Sequence, residues 1–169
     1  GKLCELKNGE ITIIAGRGCP FQCTYCFNRA FKKRYEDDLG RKSGKYIRFK
    51  TVDQVIGEIK SVIEQTGNVK RLAFVDDSFT LDKKVLRSLL KEYKKEINLP
   101  FNCNTNPMAF DEEVAKILKD AGCINVRFGV ECGNERIRKE ILHRPMPNEK
   151  IKKAFEICRK YEIVSGAYI

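Results

Sequence analysis

The chain has 169 residues, 42% hydrophobic and 33% charged, a composition typical of one folded globular domain and not of a disordered segment. No apolar run approaches the roughly 20 residues of a membrane-spanning helix, and no secretory signal is visible, so we expect a cytoplasmic protein. The formal net charge of +10 permits contact with nucleic acid, anionic cofactors or acidic partners without choosing among them.

Short apolar runs alternate with amphipathic stretches along the chain. Periodicity predicts strands at 11–15, 72–75, 101–104, 124–130 and 164–169. It predicts helices at 53–65, from Asp82, from Asp111, near 134–142, and from a cap at Asn148 to about residue 161. Strands that alternate with helices predict an α/β fold, here a partial (βα) TIM-like barrel with parallel strands.

The predicted sheet stops after about the fifth strand. That strand has no following helix, although a parallel strand normally has both faces covered. No repeat or linker divides the chain. We therefore expect residues 1–169 to be one core domain cut from a longer protein.

Polar or metal-binding groups follow four of the predicted strands. In chain order these groups are the segment Gly16–Asn28, then Asp76, Asp77 and Ser78, then Asn104, and then Glu131. In parallel α/β folds, binding sites form at the carboxyl ends of the strands. All four sets are therefore expected at one rim, where they predict a site.

The fourth predicted strand carries charge on one face. Val126, Phe128 and Val130 alternate with Arg127 and Glu131, so the apolar set is expected to face the helices. In a barrel this places the two charges inside, where they are costly unless paired or ligand-bound. Either a polar cofactor in the barrel mouth or a structural Arg127–Glu131 pair explains this pattern.

Cys19, Cys23 and Cys26 lie within eight residues, while the other cysteines are scattered singly. In a reducing compartment such clustering indicates metal ligation, and soft thiolates on one tight loop are typical iron–sulfur ligands. Three local ligands hold three irons of a four-iron cubane and leave one iron open. Structural zinc is the alternative, but zinc usually takes two pairs of ligands, and neither His143 nor the scattered cysteines form a second pair.

This motif resembles the signature of the radical S-adenosylmethionine (SAM) superfamily, CxxxCxxC after the first strand with an aromatic, here Tyr25, before the last cysteine. The segments 46–59, 76–79 and 129–133 and the pair His143–Arg144 look like the radical SAM core that often follows a cobalamin-binding domain. The resemblance implies an enzyme that cleaves SAM reductively and forms a 5′-deoxyadenosyl radical for hydrogen abstraction, methylation or a related modification. The substrate is not named by the sequence.

The resemblance also implies the cofactors. Cys19, Cys23 and Cys26 would ligate a 4Fe–4S cluster whose open iron is chelated by SAM, and Tyr25 and Phe27 would lie near the adenine. Cobalamin would come through a domain missing from this chain. The implied partners are an electron donor such as flavodoxin or ferredoxin and the substrate.

Further residues are implied as SAM contacts. The Asp76–Ser78 segment stands where the family often has a Gly–Gly–Glu motif that contacts the SAM amino group. Glu131 would accept hydrogen bonds from the ribose hydroxyls, Arg127 or Arg144 would meet the SAM carboxylate, and Asn104 belongs to the same rim. No catalytic residue is assigned.

A non-enzymatic alternative rests on charge. The stretch Lys32–Lys50 is the densest basic run that is predicted to be non-helical, and it follows the cysteine motif directly. Such a run suits a polyanion. It therefore favours a basic, metal-stapled module that binds RNA or a protein without SAM chemistry, and an enzyme acting on RNA would combine both hypotheses.

Overall fold

Strands and helices alternate in a computed structural model that describes residues 9–39 and 46–169. The strands are β1 Glu10–Ile13, β2 Gly16–Arg17, β3 Arg48–Phe49, β4 Arg71–Phe74, β5 Phe101–Thr105, β6 Cys123–Gly129 and β7 Val164–Tyr168. The helices are α1 Phe27–Leu39, α2 Val52–Thr66, α3 Lys83–Glu96, α4 Glu112–Asp120 and α5 Asn148–Lys160. A 3₁₀ turn at Pro107–Ala109 precedes α4, and a π-helix at Ile137–Ile141 precedes α5.

A five-stranded parallel sheet organises the described residues, in the order β1-β4-β5-β6-β7. Each strand of this sheet lies beside the strand of the same sheet that comes before it in the chain. The sheet therefore winds in one direction, as a (βα) barrel does. This order confirms the predicted α/β fold with a partial, TIM-like barrel. β2 and β3 form a separate antiparallel pair.

The core lies between the sheet and its helices. Val126 and Phe128 of β6 are fully buried on that face, as the alternation predicts, whereas Arg127 between them is exposed. Phe74 stacks on Phe79 with ring centroids 4.4 Å apart and meets the edge of Phe101 at 5.4 Å. The apolar side chains are therefore spent on the helix-covered face, which leaves polar groups for the other face.

The predicted helix starts are partly confirmed. The carboxylate of Asp82 accepts the first amides of α3, and that of Asp111 accepts the amide of Val114 in α4. The prediction that Asn148 caps α5 is wrong, because Asn148 is already helical and its side chain accepts a hydrogen bond from Arg138 instead. A buried guanidinium needs acceptors, and this need decides the orientation of Asn148.

Helix α1 corrects the prediction of a non-helical basic stretch. Lys32, Lys33 and Arg34 lie on this helix, whereas Arg41, Lys42 and Lys45 lie outside the described residues. The helix lacks a buried apolar stripe, so periodicity gave no signal for it, although most of its residues are good helix formers. None of the described helices is long and apolar enough to cross a bilayer.

Candidate active site

The segment 14–26, which follows β1 and carries the three cysteines, is called here the thiol loop. It opens onto a cavity of about 230 Å³ at the carboxyl ends of the sheet strands. Cys23 is buried there, and Cys19 and Cys26 are half-buried. The other lining residues are Phe21, Tyr25, Phe27, Asn28, Asp76, Asp77, Asn104, Thr105, Asn106, Arg127, Gly129, Glu131, Arg144 and Tyr168. The structure thus brings together every predicted site residue except Ser78, which is buried away from the cavity and whose hydroxyl has no hydrogen-bond partner among the described residues.

Two carboxylates from the loop after β4 hold the backbone of the thiol loop. Asp76 accepts the amides of Ala15 and Gly16, and Asp77 accepts the amide of Gly18 at 2.8 Å. Burial raises the pKa of Asp76 to about 6, although its hydrogen bonds with backbone amides, those of Ala15 and Gly16 among them, work against that rise. Both carboxylates therefore fix the loop that carries the thiols, a role that the sequence did not reveal.

Gly18 is required where the loop passes under the β3 segment. Its φ is +91°, and a Cβ there would lie 2.7 Å from the carbonyl oxygen of Tyr46. Only glycine meets both conditions without strain. This close approach fixes the path of the chain immediately before Cys19.

Asn28 was not predicted as a site residue, although it lies two positions after the last cysteine of the motif. Its side-chain amide donates to Asp77 at 2.7 Å, and its amide oxygen accepts from the Tyr46 hydroxyl at 2.6 Å. It is buried between the two. The chain Tyr46–Asn28–Asp77 therefore ties the start of α1 to the loop after β4.

Arg144 reaches the thiols from 121 residues away. One terminal nitrogen donates to the sulfur of Cys23 at 3.3 Å, and the other donates to the carbonyl oxygen of Gly129 at 2.6 Å. Gly129 makes room for this contact, because a Cβ there would lie 2.9 Å from the guanidinium and 2.7 Å from the Glu131 carboxylate. A cation is thus held against a thiol that is predicted to be a cluster ligand.

The π-helix anchors the thiol loop on its other side. The amide and hydroxyl of Thr24 donate to the carbonyls of Leu142 and Ile141, each at 3.0 Å. Arg138 of the π-helix is fully buried, and its guanidinium donates to the carbonyls of Cys132 and Met146 and to Asn148. These contacts of Arg138 hold the residues before and after the π-helix together, and Arg144 lies within the segment that they hold. Charged residues are seldom fully buried, so the sequence gave no signal for it.

Glu131 and Arg127 lie in the cavity without pairing to each other. Within the described residues the Glu131 carboxylate has no hydrogen-bond or ion-pair partner, and its backbone is held at a φ of +69°. Arg127 donates to the Tyr168 hydroxyl at 3.4 Å, which in turn donates to Asn104 at 3.4 Å. The Arg127–Glu131 pair is therefore not formed. The Glu131 carboxylate, carried on a strained backbone and unpaired within the described residues, is available to a polar ligand.

The thiols suit a polynuclear metal group. Burial raises the pKa of Cys19, and the neighbouring Cys23 raises it further, so its thiol is protonated until a metal displaces the proton. In the described part of the chain no group of three or more His, Cys, Asp or Glu side chains is arranged to hold a metal ion as the structure stands. An iron–sulfur cluster takes one thiolate per iron and matches three such thiols on one loop.

A second, larger cavity of about 640 Å³ adjoins the first. It lies between α1 and the β2–β3 pair, and the two cavities share the residues Phe27, Asn28, Asp76 and Asp77. Phe27 and Phe31 of α1 are largely exposed, and both line it. Together the cavities offer apolar walls beside converging polar groups, as small-molecule sites do.

A one-directional parallel α/β sheet with a thiol triplet after its first strand, and polar groups at the following strand ends, defines an iron–sulfur protein with a cofactor cavity in a partial barrel. The chain belongs to the radical SAM superfamily, whose family model matches residues 13–168. This is a family of enzymes that use a 4Fe–4S cluster and SAM, and the residues of the cavity fit both.

Two relatives illustrate the similarity in sequence. The chain is 31% identical over 159 residues to a protein of Pyrococcus horikoshii named as a methyltransferase, and 26% identical over 160 residues to cytidylyl-2-hydroxyethylphosphonate methyltransferase of Streptomyces wedmorensis. Each alignment covers 93% of this chain but only 32% and 28% of the relative, so the chain spans about a third of their length.

The fold also matches the radical SAM methyltransferase TsrM of Kitasatospora setae. The TM-score is 0.71 with 21% identity, over 92% of this chain and 28% of that one, in a structure described as holding cobalamin and a [4Fe–4S] cluster. At this identity the likeness establishes the fold alone. It agrees with the sheet order described above.

Proposed function

We propose that this chain is the catalytic core of an enzyme that cleaves SAM reductively in the 230 Å³ cavity. The observation that carries the proposal is that Cys19, Cys23 and Cys26 line one cavity with Glu131, whose carboxylate has no partner among the described residues. When bound, the cluster and SAM supply one-electron cleavage of the sulfonium to methionine and a 5′-deoxyadenosyl radical. The chain's own residues bind, orient and shield these groups.

The free groups of the cavity support a set of proposed SAM contacts. Glu131 would accept the ribose hydroxyls because its carboxylate has no other partner in the described part of the chain. Arg127 is better placed than Arg144 for the SAM carboxylate, since both terminal nitrogens of Arg144 already hold Cys23 and Gly129. Tyr25 and Phe27 would contact the adenine, and Asn104 would act through the hydroxyl of Tyr168.

The Asp76–Ser78 segment was predicted to contact the SAM amino group, and the contacts of its three residues limit which of them could do so. Asp76 and Asp77 accept backbone amides of the thiol loop, and Ser78 does not reach the cavity. The proposed function of Asp76 and Asp77 is therefore to hold the thiols in position. Asp76 and Asp77 both also line the cavity and stay within the proposed SAM site.

Methyl transfer is the reaction that the relatives favour. Two of them are named methyltransferases, and the TsrM structure holds cobalamin, so we extend the proposal to methylation with cobalamin supplied by another domain. The protein that contains this core should then bind hydroxocobalamin, as its absorbance would report. The core should act with an electron donor such as flavodoxin or ferredoxin.

Anaerobic reconstitution tests the proposal. The chain should take up about four irons, absorb near roughly 400 nm, and release 5′-deoxyadenosine and methionine from SAM with dithionite. Cys23→Ala should abolish all three results, whereas Cys132→Ala, a half-buried cysteine outside the triplet, should preserve them. Zinc in place of iron, or salt-dependent RNA binding without SAM cleavage, would instead favour the metal-stapled binding module.

A further inference from the structure

A groove of about 440 Å³ lies beside the thiol loop and shares Cys26 with the cluster cavity. Its other lining residues come from the loop and from one face of α1, and they are Gln22, Thr24, Arg29, Ala30, Lys32, Lys33 and Glu36. Cys26 therefore borders two spaces, one that faces the proposed SAM site and one that faces this groove. A redox group held by Cys26 would be reached from the groove without passing through the SAM site.

The groove carries an excess of positive charge. Arg29, Lys32 and Lys33 face a single carboxylate, Glu36, and within the described residues none of these three cations forms an ion pair. Arg34 of the same helix differs, because it is paired with Asp38 and lines the 640 Å³ cavity instead. The unpaired cations of α1 thus gather on the side of Cys26.

We propose that this groove is the docking surface for the acidic protein that reduces the cluster, an inference that rests on the proposed function. Each reductive cleavage of SAM consumes one electron, and a one-electron donor of the flavodoxin or ferredoxin class is oxidised by one electron when it supplies it. A basic patch steers an acidic partner and orients it on contact. Here that orientation places the donor against the thiol of Cys26.

An acidic protein fits the groove better than RNA does. Single-stranded nucleic acid sites combine a basic track with aromatic side chains on which bases stack. Among the described residues the groove lining contains no aromatic side chain, and Glu36 would repel a phosphate backbone. A protein surface can place a cation opposite Glu36 and carboxylates opposite the lysines.

The test compares two reductants on the reconstituted, cluster-loaded protein. In the double variant Lys32→Glu/Lys33→Glu, cluster reduction by reduced flavodoxin at low salt should slow by about tenfold or more, whereas reduction by dithionite should be unchanged. High salt should slow the wild-type reaction with flavodoxin in the same way. The matched control is Lys91→Glu/Lys94→Glu, an equal charge change at exposed positions of α3, and it should keep the wild-type rate.

Two results would overturn the docking proposal. The first is a wild-type rate of reduction by flavodoxin in the groove variant, and if that variant also bound RNA more weakly than wild type, the groove would be an RNA site. The second is an equal loss of rate with flavodoxin and with dithionite. Failure of the proposed function reads differently, because wild-type protein would then release no 5′-deoxyadenosine even with dithionite.

Discussion

Arg144 is the residue whose contact has the clearest electronic consequence. Its guanidinium donates to the sulfur of Cys23, and hydrogen bonds to the sulfurs and nearby charge set the potential of iron–sulfur clusters. Because a cation favours the more negative, reduced state, Arg144→Met should lower the reduction potential. A charge-assisted hydrogen bond of about 1.5–3 kcal/mol corresponds to a shift of about 65–130 mV for a one-electron couple.

A redox titration followed by electron paramagnetic resonance would measure this shift. Arg127→Met is the matched control, since it removes the same charge from the same cavity but its partner is the Tyr168 hydroxyl. It should change the potential much less. Equal shifts in both variants would mean that net charge alone, and not the bond to Cys23, sets the potential.

Gly129 supplies space at the point where Arg144 and Glu131 approach each other. A methyl group in Gly129→Ala would lie under 3 Å from both side chains, so at least one must move. We expect SAM affinity to fall by roughly tenfold, about the loss of one charge-assisted hydrogen bond. Anaerobic equilibrium binding would measure it. Gly133→Ala has nothing within 4 Å of the added methyl, and if it weakened binding equally the space argument would fail.

The loop after β4 makes the fold sensitive to pH through Asp76. Its pKa rises from an ordinary 3.8 to about 6, mainly because burial penalises the charged form. The folded state therefore binds this proton more tightly than the unfolded state, and the stabilisation is complete below about pH 4 and is lost as pH rises through 6. Between pH 4.5 and 7.5 this loss amounts to about 2 kcal/mol of unfolding free energy.

Urea denaturation of the cluster-free chain would measure the effect. The unfolding free energy of wild type minus that of Asp76→Asn should fall across this pH range, because the amide does not titrate. Asp82→Asn is the control, at an exposed helix cap. A pH-independent difference for Asp76→Asn would show that Asp76 is already ionised in the folded chain at pH 4.5.

At the scale of elements, the sequence predicted what burial patterns encode. The strands at 72–75 and 101–104 match β4 and β5 to within a residue because their apolar residues are interior to the sheet. Helix α1 escaped because Phe27 and Phe31 face cavities and not the core. The π-helix was predicted as an ordinary helix, because a π-helical stretch as short as Ile137–Ile141 leaves no periodic signal of its own.

At the scale of the whole molecule, the sequence predicted which residues gather at the rim, but it did not predict the hydrogen bonds that connect them. The carboxyl ends of parallel strands must meet, so the gathering of Asp76, Asn104 and Glu131 followed from strand order. The contacts of Arg144 with Cys23, and of Asp77 with Gly18, join residues 121 and 59 apart in sequence. Such pairings depend on loop paths that no local pattern determines.

These hydrogen bonds predict how the molecule responds when the cluster is lost. The thiol loop is tied to the β4 loop through Asp77 and to the π-helix segment through Thr24, so a cluster on its thiols would rigidify all three. Removing iron with a chelator should therefore speed amide hydrogen exchange at 16–29, 75–78 and 141–146. The buried strands β4 and β5 should keep their protection, because their core contacts involve none of these segments.

Hydrogen exchange with mass spectrometry would compare loaded and chelated protein, with Cys23→Ala as a variant that cannot gain cluster protection. If exchange rose uniformly through β4 and β5 as well, the cluster would be a global support of the fold. If only 16–29 responded, the hydrogen bonds from Thr24 would not couple the π-helix segment to the thiols. Faster exchange confined to these three tied segments is the result that the hydrogen bonds of Asp77, Thr24 and Arg144 require.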